Sequence, residues 1–114
     1  MKSVRTEHDS IGVREVPGEA YYGIQALRAS ENFKISGQKE HLLMIRSMAE
    51  IKMAAARVNS ETGRLDGNIA SAIAGACKEV ADGKFNDQFI VDPIQGGAGT
   101  SLNMNANEVI ANRA

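Results

Sequence analysis

The stretch of this chain whose residue types best suit binding chemistry is Gln95-Gly96-Gly97-Ala98-Gly99-Thr100-Ser101. Its glycines let backbone N–H groups approach a ligand with no Cβ in the way. A helix is expected from Met104 onward, and its start supplies unpaired N–H donors and the positive end of a dipole. Thr100 and Ser101 add hydroxyls at the loop's exit. Such a cluster suits a carboxylate or a phosphate. Two familiar phosphate loops do not fit: no Lys follows Gly99, as a Walker loop requires, and Leu102 stands where a dinucleotide fingerprint has its third glycine. Without such a match, a Gly-rich loop is a turn more often than a site.

The asparagines after the loop add weight to the binding reading. Asn103, Asn105, Asn107 and Asn112 fall in what reads as one helix, where Asn competes for backbone hydrogen bonds and is a mediocre former. For Asn105, Asn107 and Asn112, capping and buried polar links are the favoured reading, with amide contacts to a polar ligand as the alternative. For Asn103, close to the loop, a ligand contact and a structural role both stay open. Arg28 sits near the end of its expected helix, where a cation is favoured, and it is also placed to meet an anion.

Other candidates read as structural. His8 and His41 lie far apart with no paired Cys or carboxylate at ligand spacing, so no metal site is expected. Cys77 lies on an apolar helical face and reads as packing. Met44 and Met48 read as core, and Glu7, Asp9 and Glu15 as solvated charge.

The elements that must position these residues are mainly helical. Val4, Ile11 and Val13 suggest a small hairpin, and Pro17-Gly18 a break. A helix is expected over 19–33, with Gly23 weakening it. The clearest helical signal runs from His41 to Val58, with the stripe Met44, Met48, Ile51, Ala55 and Val58 at steps of four and three. A second runs from Gly67 to Asp82 on Ile69, Ile73, Ala76 and Val80, with Gly83 as a left-handed stop. Two antiparallel helices follow from this order. Gln88–Asp92 reads as a short β-like run. The expected class is therefore a small, mainly α domain over 1–114 with a β-hairpin, running into a further helix. The chain stops inside that helix at Ala114 without a capping glycine, which reads as an interrupted domain.

Bulk properties fit and exclude. A length of 114 residues suits one small domain, and 43% hydrophobic with 24% charged residues is ordinary for a soluble globular chain. A net charge of −1 gives no basic stripe for nucleic acid. No apolar run has membrane-spanning length, and Met1–His8 lacks the apolar core of a leader. One cysteine excludes an internal disulfide, so a reduced, cytoplasmic setting is expected.

Two segments resemble the aspartase/fumarase superfamily. Ala20-Tyr21-Tyr22-Gly23-Ile24-Gln25, with Leu27-Arg28-Ala29 and Asn32-Phe33, is similar to the opening segment of aspartases and class II fumarases. Gln95 through Asn103-Met104-Asn105, then Asn107-Glu108-Val109-Ile110-Ala111-Asn112, resembles the superfamily's first signature region. The loop Gly97-Ala98-Gly99-Thr100 is similar to that of aspartases, whereas class II fumarases read Gly-Ser-Gly-Thr. The resemblance implies the N-terminal part of an ammonia-lyase that converts L-aspartate reversibly into fumarate and ammonia, without a cofactor, as a homotetramer. It implies that Thr100 hydrogen-bonds a substrate carboxylate, that Ser101 and Asn103 line the same pocket, and that Arg28 supports activity by shaping it. It places no catalytic residue within 1–114, because the family's proton-abstracting serine lies on a downstream loop. Family active sites draw on three subunits. The alternatives are a class II fumarase fragment and a non-catalytic helical interaction module.

Overall fold

The structure, a computed structural model, describes residues 3–114. Met1 and Lys2, part of the start weighed above as a leader, lie outside the described residues. The chain runs as a β-hairpin followed by four α-helices, which is the mainly α class expected.

Strands β1 (Val4–Asp9) and β2 (Gly12–Pro17) pair antiparallel, with Val4 opposite Pro17 and Asp9 opposite Gly12. The hairpin is where Val4, Ile11 and Val13 placed it, but those three side chains face solvent and Val16 is the buried one. Polar ties hold it down. The Arg5 guanidinium donates to the carbonyls of Pro17 (3.1 Å), Ala20 (2.5 Å) and Tyr22 (2.6 Å), gathering the lead-in to the next helix around one cation.

Helix α1 spans Ile24–Asn32 rather than 19–33. Its late start has a tertiary cause. The first amides of the helix donate to carboxylates from distant elements: Ile24 to Glu7 Oε1 (3.0 Å), Gln25 to Glu108 Oε2 (3.0 Å) and Ala26 to Glu108 Oε1 (2.9 Å). These carboxylates satisfy donors that a helix start leaves orphaned and meet the positive end of its dipole. Gly23 is the capping residue at this junction, and a Cβ there would collide with the Glu108 carboxylate. It is a close-approach glycine, not a weak spot in a helix interior.

Helices α2 (Leu42–Glu61) and α3 (Gly67–Ala81) form the expected antiparallel pair. Residues Leu42, Leu43 and Arg46 lie beside Val80–Asp82, and Ala55 and Ala56 beside Ile69 and Ile73. His41 caps α2 through Nδ1 (3.1 Å to the Leu43 amide), and Asp66 caps α3 (2.9 Å to the Asn68 amide). Gly83 takes the left-handed stop at φ 88°.

The α2 stripe needs correction. The face turned to the core carries Ile45, Ala49 and Ala56, with Met48 and Met53 at its margins. Met44, Ile51 and Val58 are 48%, 64% and 55% exposed, so they form a second apolar face that points outward. Both faces repeat at helical period, and alanine, small and weakly hydrophobic, made the inner one the quieter signal. In α3, Ala76, Cys77 and Val80 are buried as expected, whereas Ile69 is exposed.

Residues 88–92 do not form a strand. A short 3-10 turn at Asn86–Gln88 leads into an irregular run with Phe89 and Val91 fully buried. A single side chain replaces the missing strand partner. Asn105, itself 0% exposed, accepts from the amides of Ile90 (3.0 Å) and Val91 (3.4 Å) and donates to the Gln88 carbonyl (2.9 Å). Helix α4 (Thr100–Arg113) carries Asn105 and packs against the other three helices. Its Leu102, Ala106, Val109 and Ile110 complete the core with Phe89, Val91 and Val80.

Candidate functional site

Helix α4 begins at Thr100, earlier than the Met104 onset read from sequence, and this moves Asn103 from the loop into the first helical turn. Gly99 is the capping residue at φ 71°, a left-handed conformation that costs glycine little. Residues 96–100 are all exposed. The Leu102 amide is taken by Gln95 Oε1 (2.5 Å) and the Asn103 amide by the Gly99 carbonyl (3.4 Å). Among the described residues, the amides of Thr100 and Ser101 and the hydroxyls of both have no partner. Exposed Thr100 and half-buried Ser101 thus bring two unpartnered N–H groups and two hydroxyls to the positive end of the α4 dipole, groups of the kind that can receive an anion.

Asn103 stands one turn along. Lys52 Nζ donates to its Oδ1 (2.7 Å), which leaves the amide nitrogen as a donor without a partner among the described residues. Lys52 was not among the candidates read from sequence. It sits half-buried on α2 and brings a cation to the first turn of α4. Its charge also opposes, without overcoming, the burial that pushes the Cys77 thiol up. Cys77 is fully buried, in keeping with packing.

The remaining asparagines serve the fold. Asn105 holds the 88–91 run, Asn112 donates to the Tyr21 carbonyl (2.7 Å), and Asn107 contacts Met104 Sδ (3.7 Å).

Arg28 is not joined to this cluster. It is the fifth of nine residues in α1, and the helix has no basic residue in its last turn, so the end-of-helix argument falls away. Its guanidinium makes a two-pronged pair with Asp9, Nε to Oδ2 at 2.8 Å and Nη2 to Oδ1 at 3.1 Å. Burial would raise the Asp9 carboxyl, but the Arg28 hydrogen bond and charge, with the Ile11 amide, hold it below its ordinary value. Asp9 and Glu7 were read as solvated charge; one pins the hairpin tip to α1 and the other caps α1. Two-residue hairpin spacing gives no hint of partners 17 and 19 positions away.

Sequence reasoning also passed over the support beneath the loop. Asp92 is 6% exposed and has no ion-pair partner among the described residues. It accepts from the amides of Ser36 (2.8 Å), Gly37 (3.0 Å) and Ile94 (2.9 Å) and from the Ser36 hydroxyl (3.0 Å). Burial pushes its carboxyl up, yet these donors together bring it down to about 2. The dipeptide Asp92-Pro93 was the available signal, since Asp before Pro favours a turn in which the side chain bonds the amide two residues on.

Away from the loop, a cleft of about 640 Å³ runs between α2, α3 and the far half of α4, lined mostly by apolar side chains such as Ala55, Ile69, Ile73 and Ile110. Thr100, Ser101 and Asn103 do not line it. Among the described residues, no group of three His, Cys, Asp or Glu could hold a metal ion, and no helix is long and apolar enough to cross a membrane.

The hairpin, the helical pair and the Gly-rich loop opening onto α4 make a mainly helical domain, and residues 12–114 match the family described as lyase. The chain belongs to that lyase family. An aspartate ammonia-lyase from a Bacillus species is 58% identical over 97% of this chain and 24% of its own length. A class II fumarate hydratase from Halobacterium salinarum is 52% identical over 96% of the chain and 23% of its own length. Among solved structures, the fumarate lyase:delta crystallin of Brucella melitensis superposes with a TM-score of 0.94 at 50% identity, covering 97% of this chain and 26% of that one. The chain thus spans about a quarter of the length of the relatives it matches.

Proposed function

We propose that this chain is the N-terminal part of an aspartate ammonia-lyase, a cytoplasmic homotetramer of amino-acid catabolism that reversibly eliminates ammonia from L-aspartate to give fumarate. Within it, the head of α4 grips a substrate carboxylate. The observation that carries the reading is the pair of unpartnered amides and hydroxyls at Thr100 and Ser101, set behind a Gly-rich loop. The relatives named aspartate ammonia-lyase, at 51–58% identity across essentially the whole chain, supply the substrate class.

Thr100 Oγ1 donates to one carboxylate oxygen, and the amides of Thr100 and Ser101 hold the other. The Asn103 amide nitrogen adds a donor further along the first turn of α4, with its side chain held by Lys52. Arg28 acts at a distance, by pinning the hairpin to α1 through Asp9. Loss of the Cβ proton places a second negative charge on the gripped carboxylate as an aci-form. Preorganised N–H and O–H donors stabilise that charge most effectively in a site closed to water. The described part of the chain offers donors at an open surface and no group placed to take the proton. The base and the closure belong to the rest of the enzyme.

A second reading, class II fumarate hydratase, draws on the 52% identity to the Halobacterium salinarum protein. Both reactions need the same carboxylate grip. Ammonia release from L-aspartate, measured beside hydration of fumarate in the whole enzyme, separates them. Ammonia release with negligible hydration is the expected result; the reverse selects the fumarase reading. The isolated 114-residue chain is expected to release no ammonia at saturating aspartate, and clear turnover by it would defeat the division of labour described here.

A further inference from the structure

We infer that Gln95 is a positioning residue for the carboxylate grip: it staples the Gly-rich loop closed and does so without adding negative charge at the anion's seat. The inference rests on the proposed role of the α4 head.

The staple is one side chain with two bonds. Gln95 Oε1 accepts from the Leu102 amide at 2.5 Å, and Nε2 donates to the Asp92 carbonyl at 3.1 Å. Little else restrains the segment between. Residues 96–99 are exposed, and both Gly96 and Gly99 lie at positive φ. Among the described residues, the loop's own backbone makes one bond, from the Asn103 amide to the Gly99 carbonyl at 3.4 Å. A glycine-rich segment with so few bonds has much conformational freedom to lose. The staple's other end is firm, because Asp92 is held by Ser36, Gly37 and Ile94.

Gln95 also decides which donors remain. Of the orphan amides in the first turn of α4, it takes that of buried Leu102 and leaves those of Thr100 and Ser101 without a partner among the described residues. A glutamate could accept the same bond. Its charge would then neutralise the helix's positive end beside the site where a carboxylate must bind. An amide supplies the acceptor and keeps the field.

The test uses the whole enzyme with three variants, Gln95→Leu, Gln95→Glu and Thr100→Val. It reads KM and kcat for aspartate and fumarate, melting temperature, and deuterium exchange over residues 96–102. Gln95→Leu is expected to speed exchange in that segment and raise KM about tenfold, with melting little changed. Gln95→Glu is expected to keep exchange slow yet also raise KM about tenfold, with the penalty shrinking as salt is added. That separation of KM from local order is one that a merely structural glutamine would not produce. Both Gln95 variants within about twofold of wild-type KM, while Thr100→Val raises it, would overturn the role of Gln95 and leave the grip intact. If Gln95→Leu does not fold, Gln95→Glu decides alone, and an unchanged KM in it overturns the inference. Thr100→Val with unchanged KM would defeat the grip itself, and the role of Gln95 with it.

Discussion

Asn105 and Asp92 show how single polar side chains stand in for structure that this chain lacks. Asn105 serves the backbone of 88–91 as a neighbouring strand would, from a fully buried position. Asn105→Ala would leave two amides and a carbonyl unpaired in the core, so a loss of about 3 kcal/mol or more is expected in urea denaturation. Asn107→Ala, whose side chain makes one weak hydrogen bond to a sulfur among the described residues, is expected to cost under about 1 kcal/mol. Asp92 gives the fold an acid-sensitive point. Its carboxyl is held at about 2 against an ordinary 3.8, so its stabilising contribution is complete above about pH 4 and is lost as pH falls toward 2. Asp92→Asn is expected to lower stability at neutral pH and to flatten that acid limb. An acid limb identical to wild type would contradict the assignment. At this scale the sequence was readable where the signal is local. It showed Gly83 as a helix stop and Cys77 as packing. Glu108, Arg5 and Gln95 act across 7 to 83 positions, and nothing near them in sequence announces their partners.

At the scale of elements, period was legible and facing was not. The hairpin and all four helices lie close to where the spacing put them, yet two boundaries moved for tertiary reasons. Helix α1 starts late because Glu7 and Glu108 cap it at Gly23, and α4 starts early because Gly99 and Gln95 organise its first turn. The β-like run at 88–92 has a strand's composition but no strand beside it. Helix α2 is apolar on two faces, and the louder stripe is the outer one. Exposed positions tolerate change far better than packed ones, so Ile51→Lys is expected to alter stability by no more than about 0.5 kcal/mol. Ala49→Lys, at 0% exposure in the core, is expected to prevent folding. Circular dichroism with thermal melting distinguishes the two, and equal damage from both would contradict the assignment of faces.

At the scale of the whole molecule, the fold class was legible, and the family resemblance turned a carboxylate-binding expectation for the Gly-rich loop into a candidate reaction. Geometry then sharpened the site. It gathered Thr100, Ser101 and Asn103 on one helical turn, added Lys52 and Gln95, and set Arg28 apart against Asp9. The chain covers about a quarter of its relatives' length, and the proposed carboxylate grip assigns it a binding share of a larger active site. The most direct measurement is the KM for L-aspartate, followed by ammonia release, in the whole enzyme and its Thr100→Val variant. A rise of at least about tenfold in the variant, with the protein folded and assembled as wild type, is expected from loss of a hydrogen bond to a charged group. An unchanged KM would contradict the grip at the head of α4.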